Sequence, residues 1–508
     1  MKNSRTKNSA INVIVSSISK VMTLVLSFAC RTFFIQTLGK EYLGVNGLFS
    51  NILTILSFAE LGIGNAIIFK LYKPIAEEDK TRIKSLLHFY KKAYFVIGIF
   101  IIFAGVSIIP FLGLIVKNAP EITESLTSIY ILFLANTAIS YFFTYKKSII
   151  IGNQKEYIIN FINFIVMAAM NIIQIVLLLM THNYMVYLCI QLVATIADNV
   201  IMSIIAEKKY PYIKDKTYEK ISKLEQKNIF NDVKSLVLYK LGYVLANGTD
   251  NIIISSFIGV AKVGLLSNYT IVTSSVKSLI NAPFNSITAS IGNLNTIKEV
   301  KKKEQVFYDI LYLSFLVYGF VSIGIAILIN RFIHIWLGPN YILSFSIAVT
   351  LALDLYVDGM RYISGAYRNT LGIFKKGRMM PLISSVSNVV LSIILVKPLG
   401  IFGVLVATVI TRLMILTWYD PYLIHKYEFK TSCKKYYWTY SYYFIILIIT
   451  IIIAYLIDSS IRISGILGLI LSGMATTAVI LVIFFTATVR SNQFINLKSR
   501  FFKKGDRR

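Results

Sequence analysis

Ten of the ionisable side chains inside apolar stretches of this chain are candidates for function. Five are basic: Lys20, Arg31, Lys277, Arg361 and Arg412. Five are acidic: Glu60, Asp198, Asp250, Asp354 and Asp358. A charge at the centre of a bilayer costs about 2.5–3.5 kcal/mol on insertion scales. Five bases facing lipid would together cost on the order of 15 kcal/mol. They are tolerable only against water or partners, so the residues imply a hydrated, net basic cavity suited to an anionic cargo. Lys277 and Arg31 can also snorkel toward an interface. The acids admit two uses, neutralising a base or holding a coupling ion such as H+ or Na+. Asp354, Asp358 and Arg361 are spaced i, i+4 and i+7, one face of a helix, so Arg361 can pair with Asp358 or Asp354.

Other chemistries lack their residues. Cys30, Cys189 and Cys433 are odd in number and without paired spacing, which implies no disulfide framework or zinc knuckle. The four histidines are isolated and read as interfacial, and no GxxxxGK[ST] loop occurs. The sequence therefore calls for no metal, no cofactor and no catalytic residue, and the reading is that the chain is not an enzyme.

The elements that position these charges are membrane spans. The chain has 508 residues, 56% hydrophobic and 15% charged, with 52 Lys and Arg against 24 Asp and Glu. Its apolar runs are continuous rather than alternating, which favours helices over a β-barrel. Fourteen spans are expected near 10–36, 42–70, 87–116, 124–148, 158–181, 184–206, 235–257, 263–290, 306–330, 343–368, 380–396, 400–424, 440–457 and 463–488. With the N-terminus in the cytoplasm, 41 of the 52 bases fall on one side and 6 on the other. That bias orients both termini to the cytoplasm. It also accounts for most of the net charge of +28 without nucleic acid, which is not expected as a partner. The N-terminal apolar segment is too long for a cleaved signal and reads as a retained span.

Shifting the chain by 220 residues superposes Gly39 and Gly44 on Gly259 and Gly264, Lys20 on Lys240, Asn65 on Asn285, and Gly152 and Lys155 on Gly372 and Lys375. The spans keep register with that shift. Each repeat holds six spans, so the two have the same orientation, with a binding site expected between them. The domain reading is a six-helix lobe over 1–206, a cytoplasmic linker over 207–234 with a partial amphipathic helix at Ile221, Leu224 and Ile229, a second six-helix lobe over 235–427, and two added spans with a basic tail over 428–508. Polar stripes line the first two spans of each repeat: Ser16, Lys20, Thr23, Ser27 and Arg31 in one, Thr270, Ser274, Lys277 and Asn281 in another. Single hydroxyls and amides of this kind also serve as packing contacts between helices. Repeated glycines at 39/44 and 259/264 suit close helix contact or a turn.

Twelve spans in two repeats plus two more resembles the multidrug/oligosaccharidyl-lipid/polysaccharide exporter superfamily. Within it, LSFAELGIGNAIIFKLYKPIAEEDK at 56–80, TDNIIISSFIG with VGLLSNY at 249–269, and IWLGPNY at 335–341 resemble Wzx-type polysaccharide flippases. The resemblance implies an all-α, V-shaped two-lobed fold with alternating access in the bacterial cytoplasmic membrane. It implies an undecaprenyl-pyrophosphate-linked oligosaccharide as substrate, for capsule, O-antigen or exopolysaccharide synthesis, with polysaccharide polymerase and export machinery as candidate partners. Lys20, Arg31, Lys277, Arg361 and Arg412 are then the positions that could hold the lipid pyrophosphate and glycan. Two relatives in the superfamily remain alternatives: a drug or cation antiporter, whose cavity should be less basic, and a lipid II flippase, which shares fold and lipid anchor. A glycan polymerase or ligase would place catalytic residues on a large outer loop, and the outer connections here are short. A receptor or scaffold would not depend on the charges inside the spans.

Overall fold

The computed structural model describes residues 2–60, 63–116, 122–215, 217–219, 221–227, 248–294, 299–371, 373, 376–377 and 379–502. The side chains of Lys20, Asn65 and Asn285 lie outside this description, as do Ile229, Lys240, Gly372, Lys375 and most of the span at 235–257. Among the described residues, nine helical stretches are long and apolar enough to cross a membrane. Helices of this kind pair their backbone amides internally, as hydrocarbon requires, and the protein is an all-α polytopic membrane protein. It divides into two compact units, Met1–Gly264 and Leu265–Arg508.

In the first unit the helices are α1 (Lys2–Leu38), α2 (Lys40–Leu56), α3 (Ile63–Ala76), α4 (Lys80–Ile108), α5 (Leu126–Phe143), α6 (Lys147–Gly152), α7 (Glu156–Thr181) and α8 (Tyr184–Lys209). Local chemistry sets their ends. Asp79 caps α4 by accepting from the Arg82 amide at 2.8 Å. Asn183 caps α8 by accepting from the amides of Met185 and Val186. The expected span 42–70 is not one helix: α2 ends at Leu56 and a 3-10 turn covers Ser57–Glu60. After α8 the backbone forms a short turn at Pro211–Lys214 and is helical over 223–227. Ile221 is buried and Leu224 is 71% exposed.

The second unit begins within α9 (Val260–Leu294) and continues through α10 (Val300–Leu337), α11 (Phe345–Met360), α12 (Tyr362–Thr370), α13 (Met380–Thr411), α14 (Thr417–Ile424), α15 (Lys434–Ser460), α16 (Gly465–Thr488) and α17 (Asn492–Phe502). Two expected spans, 380–396 and 400–424, form one long stretch bent at Gly400, whose φ of 60° only glycine adopts readily. The expected span 343–368 is divided at Arg361 between α11 and α12. Two π-helical turns, Arg412–Leu416 and His425–Phe429, flank α14.

The 220-residue repeat is visible in the helix starts. Lys40 opens α2 and Val260 opens α9; Lys80 opens α4 and Val300 opens α10. Its glycines have two distinct jobs. Gly39 and Gly259 precede helices with φ of 86° and 132°, so they are turn residues. Gly44 and Gly264 face each other at a close approach. A Cβ on Gly44 would lie 2.1 Å from the Val260 carbonyl oxygen, and one on Gly264 would lie 2.4 Å from that of Lys40.

α10 is the most buried of the candidate spans, and it organises the second unit. The two helices beyond the repeat pack on it through aromatic rings. Phe315 stacks on Tyr443 at 4.4 Å and on Phe484 at 4.5 Å. At the other end of α10, Arg331 ties down the turn between α15 and α16. Its Nε donates to Asp458 at 3.1 Å, its Nη2 to the carbonyls of Asp458 and Ile461, and its Nη1 to that of Ile463. Ser472 of α16 donates to the same Asp458 carboxylate. We expect Arg331→Ala to lower stability by about 1.5–3 kcal/mol, the worth of hydrogen bonds to a charged group. Thermal unfolding of purified protein in detergent reads this; an unchanged midpoint would remove Arg331 as the clamp.

Candidate functional site

Five of the ten charges meet in the second unit. Asp354 and Asp358 lie one turn apart on α11, and Arg361 follows at its end. Arg412, the first residue of its π turn, reaches Asp354 with Nη1 to Oδ1 at 2.7 Å. Lys277, from the middle of α9, forms an ion pair with Asp358. Arg361 Nη1 stands 3.8 Å from the same carboxylate. Three cations thus share two anions, and the cluster carries a formal charge of +1. Of the two pairings the sequence left open for Arg361, the structure forms the one with Asp358, while Asp354 belongs to Arg412. The charges are not equally neutralised. Asp358 is drawn to Lys277, and the buried Arg361 Nε has no hydrogen-bond partner among the described residues.

Packing holds this cluster in place. A Cβ on Gly359 would lie 2.1 Å from the Tyr318 ring, so the glycine lets α10 press against α11 beside Asp358. Tyr318 donates its hydroxyl to Asn281 of α9 at 2.8 Å, one turn beyond Lys277. Tyr362 and Thr288 share a hydrogen bond at 2.6 Å, with Phe284 edge-on to Tyr362. Neutral contacts through α10 and α12 thus hold α9 and α11, the elements of Lys277 and the two aspartates. The hydroxyls of the predicted stripe are mostly satisfied on their own helix: Thr270 bonds the Ser267 carbonyl and Ser274 the Ile271 carbonyl.

The first unit gathers a different set. Glu60 sits in the 3-10 turn after α2, where Tyr94 of α4 donates to its Oε1 and Tyr90 donates to Tyr94 at 3.0 Å. Gly64 makes room for both phenols, since a Cβ there would lie 2.9 Å from each hydroxyl oxygen. Asp198 of α8 accepts from Lys147 at 2.6 Å. Glu60, Lys147, Asp198, Asn163 and Asn199 line one cavity of about 390 Å³. Two acids and one base give it a formal charge of −1. Arg31 is half-buried on α1 beside Cys30, whose thiol stands 3.8 Å from Gln174 Oε1 of α7. Asp250 lies on helical residues 248–257, near Gly248, where a Cβ would press on Ile55 of α2.

Several polar contacts escaped the sequence reading. Arg368 and Asp420 form a pair at 2.7 Å in which both side chains are 3% exposed. Buried Lys303 pairs with Glu428. His425 is packed inside the protein: it is 1% exposed, with its Nε2 3.1 Å from the Tyr308 hydroxyl and its Nδ1 2.9 Å from the Pro421 carbonyl. One signal was available. Asp420 is an acid inside the expected span 400–424, and an acid there must find a base. Which base it finds depends on which helices touch, and spacing along the chain does not give that. The Arg368–Asp420 pair is the most deeply enclosed ion pair among the described residues. Removing one member leaves a buried charge unmatched, at a cost of about 3–5 kcal/mol. We expect Asp420→Asn to lose that much in thermal unfolding, and Arg368→Met combined with Asp420→Leu to recover most of it. A double variant as unstable as the single one would show that the pair does more than cancel itself.

No protein-family model matches the sequence, and no curated protein matches it. Solved structures match by fold. One is the lipid II flippase MurJ in an inward closed conformation, with a TM-score of 0.64 and 18% identity, over 94% of this chain and 100% of that one. Another is an inward-facing multidrug resistance MATE family transporter of the MOP superfamily, at 0.61 and 17%, over 79% and 95%. A third is a point mutant of the Vibrio cholerae MATE transporter VcmN, at 0.55 and 14%, over 83% and 98%. At these identities the likeness is one of fold.

Proposed function

We propose that the chain is a flippase that carries a polyprenyl-pyrophosphate-linked oligosaccharide repeat unit across the bacterial cytoplasmic membrane by alternating access, with both termini in the cytoplasm. The observation that carries this reading is the net positive cluster in the second unit, and within it Arg361. Lys277 and Arg412 have close carboxylate partners. Among the described residues, Arg361 has only a distant one and a buried Nε without an acceptor. A guanidinium so placed has donors in hand for a phosphate, which it can take in a bidentate grip. A pyrophosphate and a hydrated glycan cannot enter hydrocarbon unaided. A polar interior that supplies cations and hydroxyls lowers that barrier, while the polyprenyl tail remains in lipid. No covalent bond is broken. In this reading Lys277, Arg361 and Arg412 hold the anionic group. Asp354 and Asp358 keep those bases from repelling one another when it has left. Lys20 and Arg31 are the proposed contacts in the first unit.

The resemblance at 56–80 to polysaccharide flippases and the fold likeness to a lipid II flippase support a lipid-linked cargo. A second reading, cation-coupled antiport, is favoured by one feature: the cavity with Glu60 and Asp198, which has an excess of acid. Glu60, Asp198 and Asp250 are therefore proposed as the coupling sites if transport is ion-driven.

The test is transport by purified protein in proteoliposomes. Arg361→Gln is expected to slow flipping of a polyprenyl-pyrophosphate oligosaccharide at least tenfold, with unfolding temperature unchanged, because it removes a charge without removing bulk. Undiminished flipping would discard Arg361 as a cargo contact. Efflux of an organic cation, with no movement of the lipid-linked glycan, would replace the flippase reading with the antiporter.

A further inference from the structure

The repeated pair Gly152 and Lys155 has no part in the charge clusters described above. It belongs to a separate cavity of about 750 Å³ in the first unit, where three lysine-bearing connections meet. Tyr72, Lys73 and Lys80 come from the end of α3 and the start of α4. Lys155 comes from the turn before α7, and Tyr210 and Tyr212 follow α8. Gly152 allows the assembly, since a Cβ there would lie 2.6 Å from Ile75 Cδ1. The lining carries three ammonium groups against one carboxylate, Glu78. Lys80 stands 5.9 Å from the Tyr212 ring centre and Lys155 stands 5.7 Å from that of Tyr210.

Three independent features of the cavity favour an anion. Among the described residues, the only ion pair of Lys73 is an exposed i, i+4 contact with Glu77 at 3.8 Å, a pairing worth little. The 26-residue helix α7 begins directly after Lys155, with no side chain capping its first amides; such an end attracts negative charge, of which Glu156 in its first turn supplies a part. Tyr210 is 8% exposed, and its buried hydroxyl has no hydrogen-bond partner among the described residues, although a buried donor normally finds one. Desolvation and the neighbouring Lys209 hold the Lys155 ammonium below its usual range, a burden that a bound anion would relieve. The volume is too large for a bare ion and suits a headgroup-sized molecule.

We propose that this cavity binds a phosphate-bearing headgroup, held by Lys73, Lys80, Lys155 and the Tyr210 hydroxyl. Basic pockets at the ends of membrane helices take lipid phosphates in this way, and a small free phosphate compound would use the same contacts. The site is independent of the transported cargo. The test uses the full-length protein, delipidated in detergent and titrated with short-chain phosphatidylglycerol, short-chain phosphatidylcholine or inorganic phosphate, with native mass spectrometry as readout. Preferential retention of phosphatidylglycerol is expected, weakened about fivefold by each of Lys80→Gln and Lys155→Gln. Lys155→Arg and Lys208→Gln, which keep the charge or lie outside the cavity, should retain it. Inorganic phosphate bound with the same lysine dependence, without lipid preference, would support the site and assign it to a soluble ligand. Equal retention of both lipids without phosphate binding would overturn the proposal, as would binding indifferent to Lys80 and Lys155 in variants that unfold normally.

Discussion

Hydrocarbon does not tolerate an unmatched charge, and this constraint arranges most of the polar structure in the chain. Four carboxylates of the second unit each hold a base from another helix or turn: Asp354 with Arg412, Asp358 with Lys277, Asp420 with Arg368, Glu428 with Lys303. Each pair joins segments distant in sequence, so the need to neutralise charge is also what specifies which helices touch. The helices themselves are held by apolar and aromatic contact, as around Phe315 and Tyr318. The ion pairs add register and little net stability, since desolvation offsets most of their attraction.

Much of the architecture was legible in the sequence. Continuous apolar runs gave the spans, because a bilayer-crossing helix needs about 20 apolar residues. The constant offset gave the repeat, and helix starts at Lys40 and Val260, and at Lys80 and Val300, carry it into the structure. The glycine pairs needed coordinates to be told apart: positive φ at Gly39 and Gly259 marks turns, while Gly44 and Gly264 show their purpose only when backbones approach.

What stayed hidden has a common cause. The break at Ser57–Glu60, the division at Arg361 and the π turns beginning at Arg412 and His425 fall within or beside stretches whose average hydropathy is high. Hydropathy averages over a window and cannot see a one-residue change in helical phase. Yet such a change rotates everything after it by about 100°. Glu60, Arg361 and Arg412 all sit at these interruptions, and π turns are frequent at functional positions. The charges within the spans were easy to find. Their partners were not, because a partner across helices has no spacing along the chain.

The two repeats share a backbone plan and diverge in charge. Lys277 falls on Ser57 under the 220-residue shift, and Glu60 falls on Ile280. α5 and α11 start 219 residues apart, which sets Asp354 and Asp358 on the apolar Ala135 and Ile139. Equivalent positions thus differ in charge, and the two clusters differ in sign, +1 around Asp358 and −1 for the cavity of Glu60 and Asp198. A duplicated fold that needed charge only for orientation or packing would have no reason to separate the signs in this way. A transporter that must hold an anionic group at one place and exchange a cation or proton at another would. Under the proposed flippase reading, this asymmetry would set the anion contacts around Arg361 and any ion coupling around Glu60.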